Sequence, residues 1–123
     1  MIVGVGIDIV QISRVGERLA RRVLSAEEQA IWAKNKNQSF LAGRFALKEA
    51  FLKALGMGIR GIKLADLSFV PNELGAVHLL KNETVAHLEN VHKFDQVHST
   101  LSHDGGIAIA VVILEKEGGA KDG

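Results

Sequence analysis

The sequence predicts an α+β fold in which an antiparallel sheet packs against helices. Helical patterns fill most of the first half of the chain, and strand patterns fill most of the second half. Asp104-Gly105 stands between two apolar runs, which is a strong signal for a β-hairpin. The length of 123 residues fits one domain. We expect this domain to cover residues 1–116, followed by a polar C-terminal tail over residues 117–123.

The chain is expected to begin with a strand that leads directly into a helix. Residues 2–7 are apolar and rich in β-branched side chains, which is typical of a strand. Asp8 and Gln11 have the spacing of a capping box, so a first helix is predicted to begin at Asp8. Apolar residues continue this helix at helical period: Ile12, Val15, Leu19 and Val23.

Capping signals and turn residues predict the remaining elements. Ser25 and Glu28 form a clearer capping box, which begins a short second helix. A third helix is expected over residues 39–55, with Gly56 as its C-terminal cap. The second half is predicted to hold strands at 67–70, 76–80, 97–102 and 107–114 and a helix at 82–91.

Composition excludes several classes of protein. The chain has no cysteine, which excludes a disulfide framework, a thiolate zinc site and a cysteine nucleophile. The net charge of +1 gives no sign of a nucleic-acid-binding protein. No apolar run approaches membrane-spanning length, and the N-terminus lacks the features of a signal peptide. We therefore expect a cytoplasmic protein that uses neither a nucleic acid nor a membrane as its partner.

Common catalytic motifs are absent or stand in the wrong context. Gly56-x-Gly58-x-x-Gly61 has the spacing of a dinucleotide-binding fingerprint, but it follows a helix instead of a strand. No G-x-S-x-G motif surrounds a serine, and the five histidines lack the H-E-x-x-H spacing. The glycines can still offer backbone N–H groups to a phosphate.

Acidic and basic side chains in the third helix break the usual pattern of a surface helix. Arg44 and Lys48 fall inside the arc of large apolar residues, and Glu49 and Lys53 lie one turn apart beside a face of small residues. The structural alternative is a Glu49–Lys53 surface pair with two snorkelling cations. A carboxylate with three nearby cations is better suited to magnesium and phosphates. Asp8 also has a structural and a functional interpretation, either as a helix cap or as a metal ligand at the end of a strand.

Two further groups of residues are candidates for binding. Alternation places His103 on the side of its strand opposite Ser102, next to a glycine-rich turn, where a histidine is either structural or chemical. Three arginines share one stripe of the first helix, Arg14, Arg18 and Arg21, and Arg22 lies beside this stripe. This stripe is either a solvated face or a docking surface for an acidic protein helix.

Three stretches together resemble the holo-acyl-carrier-protein synthase family: residues 5–10, residues 44–56 and residues 101–104 followed by an alternating strand. Their order and spacing also match, and the resemblance covers essentially the whole chain. It implies transfer of 4'-phosphopantetheine from coenzyme A to a serine of apo acyl carrier protein, for fatty acid biosynthesis. Members of this short type resemble trimers with sites shared between neighbouring subunits, which gives a small domain a large enough cleft.

The resemblance also implies a role for each candidate residue. Asp8 and Glu49 would hold Mg²⁺ with the coenzyme A pyrophosphate, and Glu49, Lys53 and His103 would be the catalytic residues. Contacts to coenzyme A would come from Arg44, Lys48, Lys53, Gly56, Ser102 and His103. The four arginines would meet the acidic carrier. The chain departs from the family pattern at Met57, at residues 73–76 and at residues 105–107.

Two other functions fit part of the pattern. A magnesium-dependent hydrolase that cleaves the pyrophosphate of coenzyme A would use the same metal site, but it would need no arginine docking surface. A binding module for an acidic protein or an RNA would leave Glu49 among cations unexplained. The chain also has one Trp and no Tyr, so it lacks aromatic platforms for bases.

Overall fold

The computed structural model describes residues 1–56 and 61–118, and it confirms the predicted α+β fold. Three strands form an antiparallel sheet in the order β1–β5–β4: β1 Ile2–Gln11, β4 Gln96–Asp104 and β5 Ile107–Glu115. A second, two-stranded sheet pairs β2 Phe69–Pro71 with β3 Val77–Leu79. The helices are α1 Glu17–Val23, α2 Ala26–Asn35, α3 Gln38–Leu55 and α4 Glu83–His92.

The prediction that a helix begins at Asp8 is wrong. Strand β1 continues through Asp8, which pairs with Ala110, and ends only at Gln11. A short 3-10 turn follows at Ile12–Arg14, and α1 begins at Glu17. Pairing with β5 satisfies the backbone groups of residues 8–11, and residues 7–10 alternate between exposed and more buried positions with the period of a strand. The long-range pairing therefore prevails over the local capping signal.

The other capping predictions are confirmed. The Ser25 hydroxyl accepts from the Glu28 N–H and the Glu28 carboxylate accepts from the Ser25 N–H, which is a complete capping box for α2. Helix α3 ends at Gly56 in the left-handed conformation, with a φ of 75°. Strands β4 and β5 are joined by Gly105 and Gly106, both at positive φ, as a two-residue hairpin requires.

Glycines in β1 let α3 lie directly against the sheet. A Cβ at Gly6 would stand 1.9 Å from the carbonyl oxygen of Ala50, and one at Gly4 would stand 2.0 Å from that of Ala54. No side chain therefore separates strand and helix, and the small residues of α3 pack on the inner face of the sheet. Asp8 lies two residues beyond Gly6 on this same face, so the close approach brings it to the edge of α3.

The outer face of the main sheet is apolar and uncovered in the single chain. Val5 is 61% exposed, Ile7 53% and Ile9 60%. These side chains lie in register with partly buried residues of β5: Ile113, Val111 and Ile109. A contiguous apolar surface of this kind marks an interaction site in a folded protein.

None of the helices among residues 1–56 and 61–118 combines the length and the apolar character needed to cross a membrane.

Candidate active site

The structure brings Asp8, Glu49 and Lys53 together at one edge of α3. The ammonium of Lys53 lies 3.0 Å from Asp8 Oδ1 and 3.1 Å from the carbonyl oxygen of Ile7. Asp8 and Glu49 both line a cavity of about 480 Å³, together with Arg14. The predicted surface pair between Glu49 and Lys53 is therefore replaced by an ion pair between Lys53 and the strand carboxylate.

The surroundings of Glu49 disfavour its negative charge. Burial raises the pKa of the Glu49 carboxyl group, and the neighbouring charge of Asp8 raises it further, while Lys53 acts in the opposite direction. Two carboxylates thus share a cavity in which Lys53 neutralises only part of their charge. A site of this kind favours the binding of a cation, and the raised pKa of Glu49 lies closer to the pKa range of a general base.

The donor set fits magnesium in particular. Mg²⁺ prefers carboxylate oxygens and commonly binds one or two of them, with waters and phosphates as its other ligands. Within residues 1–56 and 61–118, no cluster of three or more histidine, aspartate and glutamate side chains is positioned to hold a metal. Asp8 and Glu49 are the acidic side chains in this cavity that could contribute oxygen ligands to such an ion.

Two of the four predicted arginines line cavities that contain Glu49. We call Arg14, Arg18, Arg21 and Arg22 the arginine surface, and all four are exposed. Arg14 lines the cavity that contains Asp8 and Glu49, and Arg22 lines a neighbouring cavity of about 410 Å³ that also contains Glu49. The prediction that one helix carries all four is wrong, because Arg14 lies on the 3-10 turn before α1.

His103 lies elsewhere in the single chain. Its Nε2 atom is 3.0 Å from the carbonyl oxygen of Ser39, and it lies beside Gly43 near the start of α3. Glu49 is six residues further along, which is about 9 Å along the helix and on a different face. As predicted, His103 and Ser102 point to opposite sides of the sheet, with Ser102 on the apolar outer face beside Ile109. One chain therefore does not unite His103 with the carboxylates.

Lys48 does not face a phosphate site. Its side chain is completely buried, and its ammonium lies 2.5 Å from Glu28 Oε1 and 2.9 Å from the carbonyl oxygen of Leu64. It also donates to the carbonyl of Val23. The predicted contact between Lys48 and coenzyme A is therefore wrong for this chain, because its donors already have protein acceptors. The predicted snorkelling alternative is wrong as well.

Arg44 and Gly56 are also more constrained than the sequence indicated. Arg44 is 7% exposed, donates its Nε–H to Phe69 and lies over the Phe40 ring. The N–H of Gly56 is bonded to carbonyls of the last turn of α3. That N–H is therefore not free for a phosphate, and the negative end of the helix dipole lies there. Met57 and Gly58 lie outside the described residues.

Sequence reasoning missed Glu28 as a partner in the core. Its carboxylate is completely buried and accepts from the Phe69 N–H at 2.7 Å as well as from Lys48 and Ser25. The capping box identified Glu28 as an N-terminal residue of α2, but only the packed fold shows that the capping oxygen Oε1 also meets Lys48 on α3 and that Oε2 meets the N–H of Phe69 on β2.

Comparison with known proteins places this arrangement in a family. The profile described as the 4'-phosphopantetheinyl transferase superfamily matches residues 4–112, which include Asp8, Glu49, Lys53 and His103. The chain belongs to the 4'-phosphopantetheinyl transferase superfamily. The match includes Asp8 on β1 and the whole of α3, which together form the carboxylate site.

Several similar proteins in this superfamily are named holo-[acyl-carrier-protein] synthases. The holo-[acyl-carrier-protein] synthase of Salmonella arizonae is 44% identical over 126 residues, covering 94% of this chain and 95% of that protein. The Thermotoga maritima synthase is 41% identical over 97% of this chain, but the chain spans only 66% of that protein's length. A Bacillus anthracis synthase crystallised with CoA (3',5'-ADP) is 31% identical, with a TM-score of 0.79 over 95% of this chain and 99% of that one.

Proposed function

We propose that this chain is a holo-acyl-carrier-protein synthase. It transfers 4'-phosphopantetheine from coenzyme A to a serine hydroxyl of apo acyl carrier protein and releases adenosine 3',5'-bisphosphate, as a step that supports fatty acid biosynthesis. The observation that carries this proposal is the placement of Asp8 and Glu49 in one cavity beside Lys53. The names of its relatives and the coenzyme A bound to the Bacillus anthracis structure support the same reaction.

Asp8 and Glu49 would hold Mg²⁺ in this enzyme. When bound, the cation neutralises pyrophosphate charge and orients the phosphates for in-line displacement. The raised pKa of Glu49 is consistent with this assignment, because burial is its main cause and the neighbouring charge of Asp8 raises it further. Close approach between β1 and α3 is what keeps the two carboxyl groups at a fixed separation.

The side chains of the site account for the proton and the leaving group. The serine hydroxyl attacks the β-phosphorus, and its proton would pass to Glu49, directly or through a water molecule. A new serine O–P bond forms as the bond between the β-phosphorus and the bridging oxygen breaks. Lys53 would stabilise the negative charge that develops on the departing oxygen. No covalent nucleophile on the enzyme is required.

The arginine surface would receive the carrier protein. Its four guanidinium groups are exposed, and two of them reach cavities that contain Glu49. Arginine pairs well with carboxylates, so an acidic helix bound here would present its serine close to the phosphates. A hydrolase that uses water would need no such surface.

The complete enzyme would be a homotrimer with sites at its subunit boundaries. The outer sheet face exposes Val5, Ile7 and Ile9 to solvent in the single chain, and their burial would stabilise an assembly. His103 and the exposed edge of Arg44 lie away from Asp8 and Glu49 in one chain, so they would contact coenzyme A held by a neighbour's carboxylates. Ser102 lies on the outer face, where a boundary between subunits would bring it near the same ligand.

We also expect the enzyme to act in the cytoplasm, where coenzyme A and the carrier are used. Expression of a tagged chain followed by cell fractionation tests this location, and recovery with the membrane or the cell exterior would contradict it.

Mass spectrometry of the carrier tests the proposed reaction. Apo acyl carrier protein incubated with this protein, coenzyme A and Mg²⁺ should gain the mass of one phosphopantetheine, and EDTA should prevent the gain. Hydrolysis of coenzyme A without any change in the carrier would instead identify a hydrolase. An unchanged carrier together with intact coenzyme A would contradict both enzymatic functions.

A further inference from the structure

A buried ion pair joins the elements around the proposed carrier-binding side of the site. Lys48 and Glu28 are both completely inaccessible to solvent, and their charged atoms are 2.5 Å apart. The three donor positions of Lys48 are all used, since it also bonds the carbonyls of Val23 and Leu64. Glu28 in turn accepts from Phe69. One ion pair thereby connects α1, α2, α3, β2 and the segment before β2.

Stability alone does not explain a pair of this kind. Removing two charges from water is costly, and replacing a buried pair by apolar side chains of similar volume is often neutral or stabilising. Burial lowers the pKa of Lys48, while the neighbouring charge of Glu28 opposes that shift. What the pair adds is direction: two of the three Lys48 donors hold a carbonyl each, and the third holds the Glu28 carboxylate.

The two carbonyls that Lys48 holds belong to two different segments that line one cavity. Val23 is the last residue of α1, and Leu64 belongs to the segment after the long helix. Both residues line the cavity of about 410 Å³ that contains Arg22 and Glu49. Lys48 is also the residue directly before Glu49 on α3. Its side chain therefore fixes both walls relative to the helix that carries the proposed proton acceptor.

Helix α1 depends on such contacts for its position. It has seven residues, which is too short for a helix to be stable by itself. The carbonyl of Val23, its last residue, accepts from Lys48, which places a positive charge at this negative end of the helix. Arg18, Arg21 and Arg22 all lie on α1, so the orientation of the arginine surface follows from the place where α1 ends.

We propose that Lys48, paired with Glu28, is a positioning residue that sets the arginine surface and the facing 62–65 wall in register with Glu49, so that a bound carrier presents its serine to the phosphates. This inference rests on the proposed function. It assigns Lys48 no contact with coenzyme A, the metal or the carrier. Its loss should therefore change use of the carrier more than binding of coenzyme A.

The test replaces the pair without leaving a lone buried charge. Lys48→Met alone strands Glu28 and is expected to destabilise the fold, so the working variant combines Lys48→Met with Glu28→Gln. Lys48→Arg is a second variant that keeps the ion pair and hence the fold, but its larger head group would push the two walls apart. Val85→Ala is a control for lost stability, because Val85 is buried on α4, an element to which neither Lys48 nor Glu28 is hydrogen-bonded.

We expect both variants to impair use of the carrier protein much more than binding of coenzyme A. In both variants kcat/KM for the carrier should fall about tenfold or more, because small displacements of reacting groups are costly. The Kd of coenzyme A, measured by calorimetry with Mg²⁺, should change by no more than about twofold, as for an independent site. The Val85→Ala control should lower the melting temperature without this difference between the two substrates.

Three outcomes would overturn the inference. The first is wild-type carrier kinetics in Lys48→Arg or in the double variant. The second is an equal loss for carrier and coenzyme A. The third is a double variant that does not fold while Lys48→Arg keeps wild-type kinetics, which would show a structural role only. If the wild-type protein itself transfers no phosphopantetheine, the proposed function fails, and this result is distinct from the other three.

Discussion

Replacing Gly6 by alanine tests the link between packing and chemistry. The added Cβ would lie 1.9 Å from the carbonyl oxygen of Ala50 and 2.7 Å from the backbone nitrogen of Ala54. Both obstacles are backbone atoms of α3, so no side-chain rotation relieves the clash. An ordinary contact begins near 3.4 Å, so β1 and α3 must separate by about 1.5 Å.

That separation has two calculable effects. Overpacking a core typically costs about 1–3 kcal/mol of unfolding free energy. For a domain of this size, such a loss lowers the melting temperature by roughly 4–12 °C. Asp8 moves with β1 while Glu49 and Lys53 move with α3, and a misplacement of about 1 Å can cost about a hundredfold in rate. Gly6→Ala should therefore lose activity well beyond its loss of stability.

The assay is a thermal melt combined with mass spectrometry of the carrier, both with saturating Mg²⁺ and coenzyme A. Gly16→Ala is the matched control, because nothing lies within 4 Å of a Cβ at Gly16 and its φ of −159° suits any residue. As a helix N-cap, this control should cost less than about 1 kcal/mol and keep transfer activity. Wild-type stability and transfer in Gly6→Ala would refute the reasoning.

Three further predictions concern the charge of Glu49, the arginine surface and the outer sheet face. The pKa of Glu49 is raised in the folded protein, so its stabilising contribution is present below its unfolded pKa and is lost as pH rises through the folded pKa. Thermal melts in EDTA should therefore show that Glu49→Gln becomes more stable than wild type as pH increases. Identical melting temperatures of the two proteins at every pH would contradict this prediction. Arg18→Glu with Arg21→Glu should raise KM for the carrier at least about tenfold at low salt while sparing the affinity for coenzyme A, and Lys34→Glu, an exposed cation on α2, is the control. Val5→Asp with Ile9→Asp should dissociate the assembly and abolish transfer, as measured by light scattering and the carrier assay; a variant that stays trimeric would contradict the proposed interface.

Local signals in the sequence were sufficient for the elements that local chemistry governs. The Ser25 capping box, the end of α3 at Gly56 and the two-glycine hairpin each depend on residues within a few positions of one another, and each is found as predicted. Asp8 shows the limit of such signals. Its spacing to Gln11 suits a cap, but pairing with a strand about a hundred residues later decides its conformation.

The sequence predicted which residues belong to the candidate site better than it predicted which groups those residues contact. Asp8 and Glu49 were expected together, and the structure places both in one cavity. A helical wheel shows that Lys48 falls among apolar residues, but it cannot show that Lys48 forms a buried ion pair with Glu28, which lies 20 positions earlier in the sequence. His103 was placed on the correct face of its strand, yet its distance from Glu49 depends on how α3 crosses the sheet.

The central claim is that Asp8 and Glu49 jointly bind a divalent cation. Mn²⁺ binding, followed by electron paramagnetic resonance in the presence of coenzyme A, tests it directly in wild type, Asp8→Asn and Glu49→Gln, with each variant checked for folding by circular dichroism. The account predicts one bound ion per chain in wild type and a loss of affinity of at least about tenfold in each variant, as expected when one of two protein ligands is removed. Undiminished Mn²⁺ binding in either folded variant would contradict it.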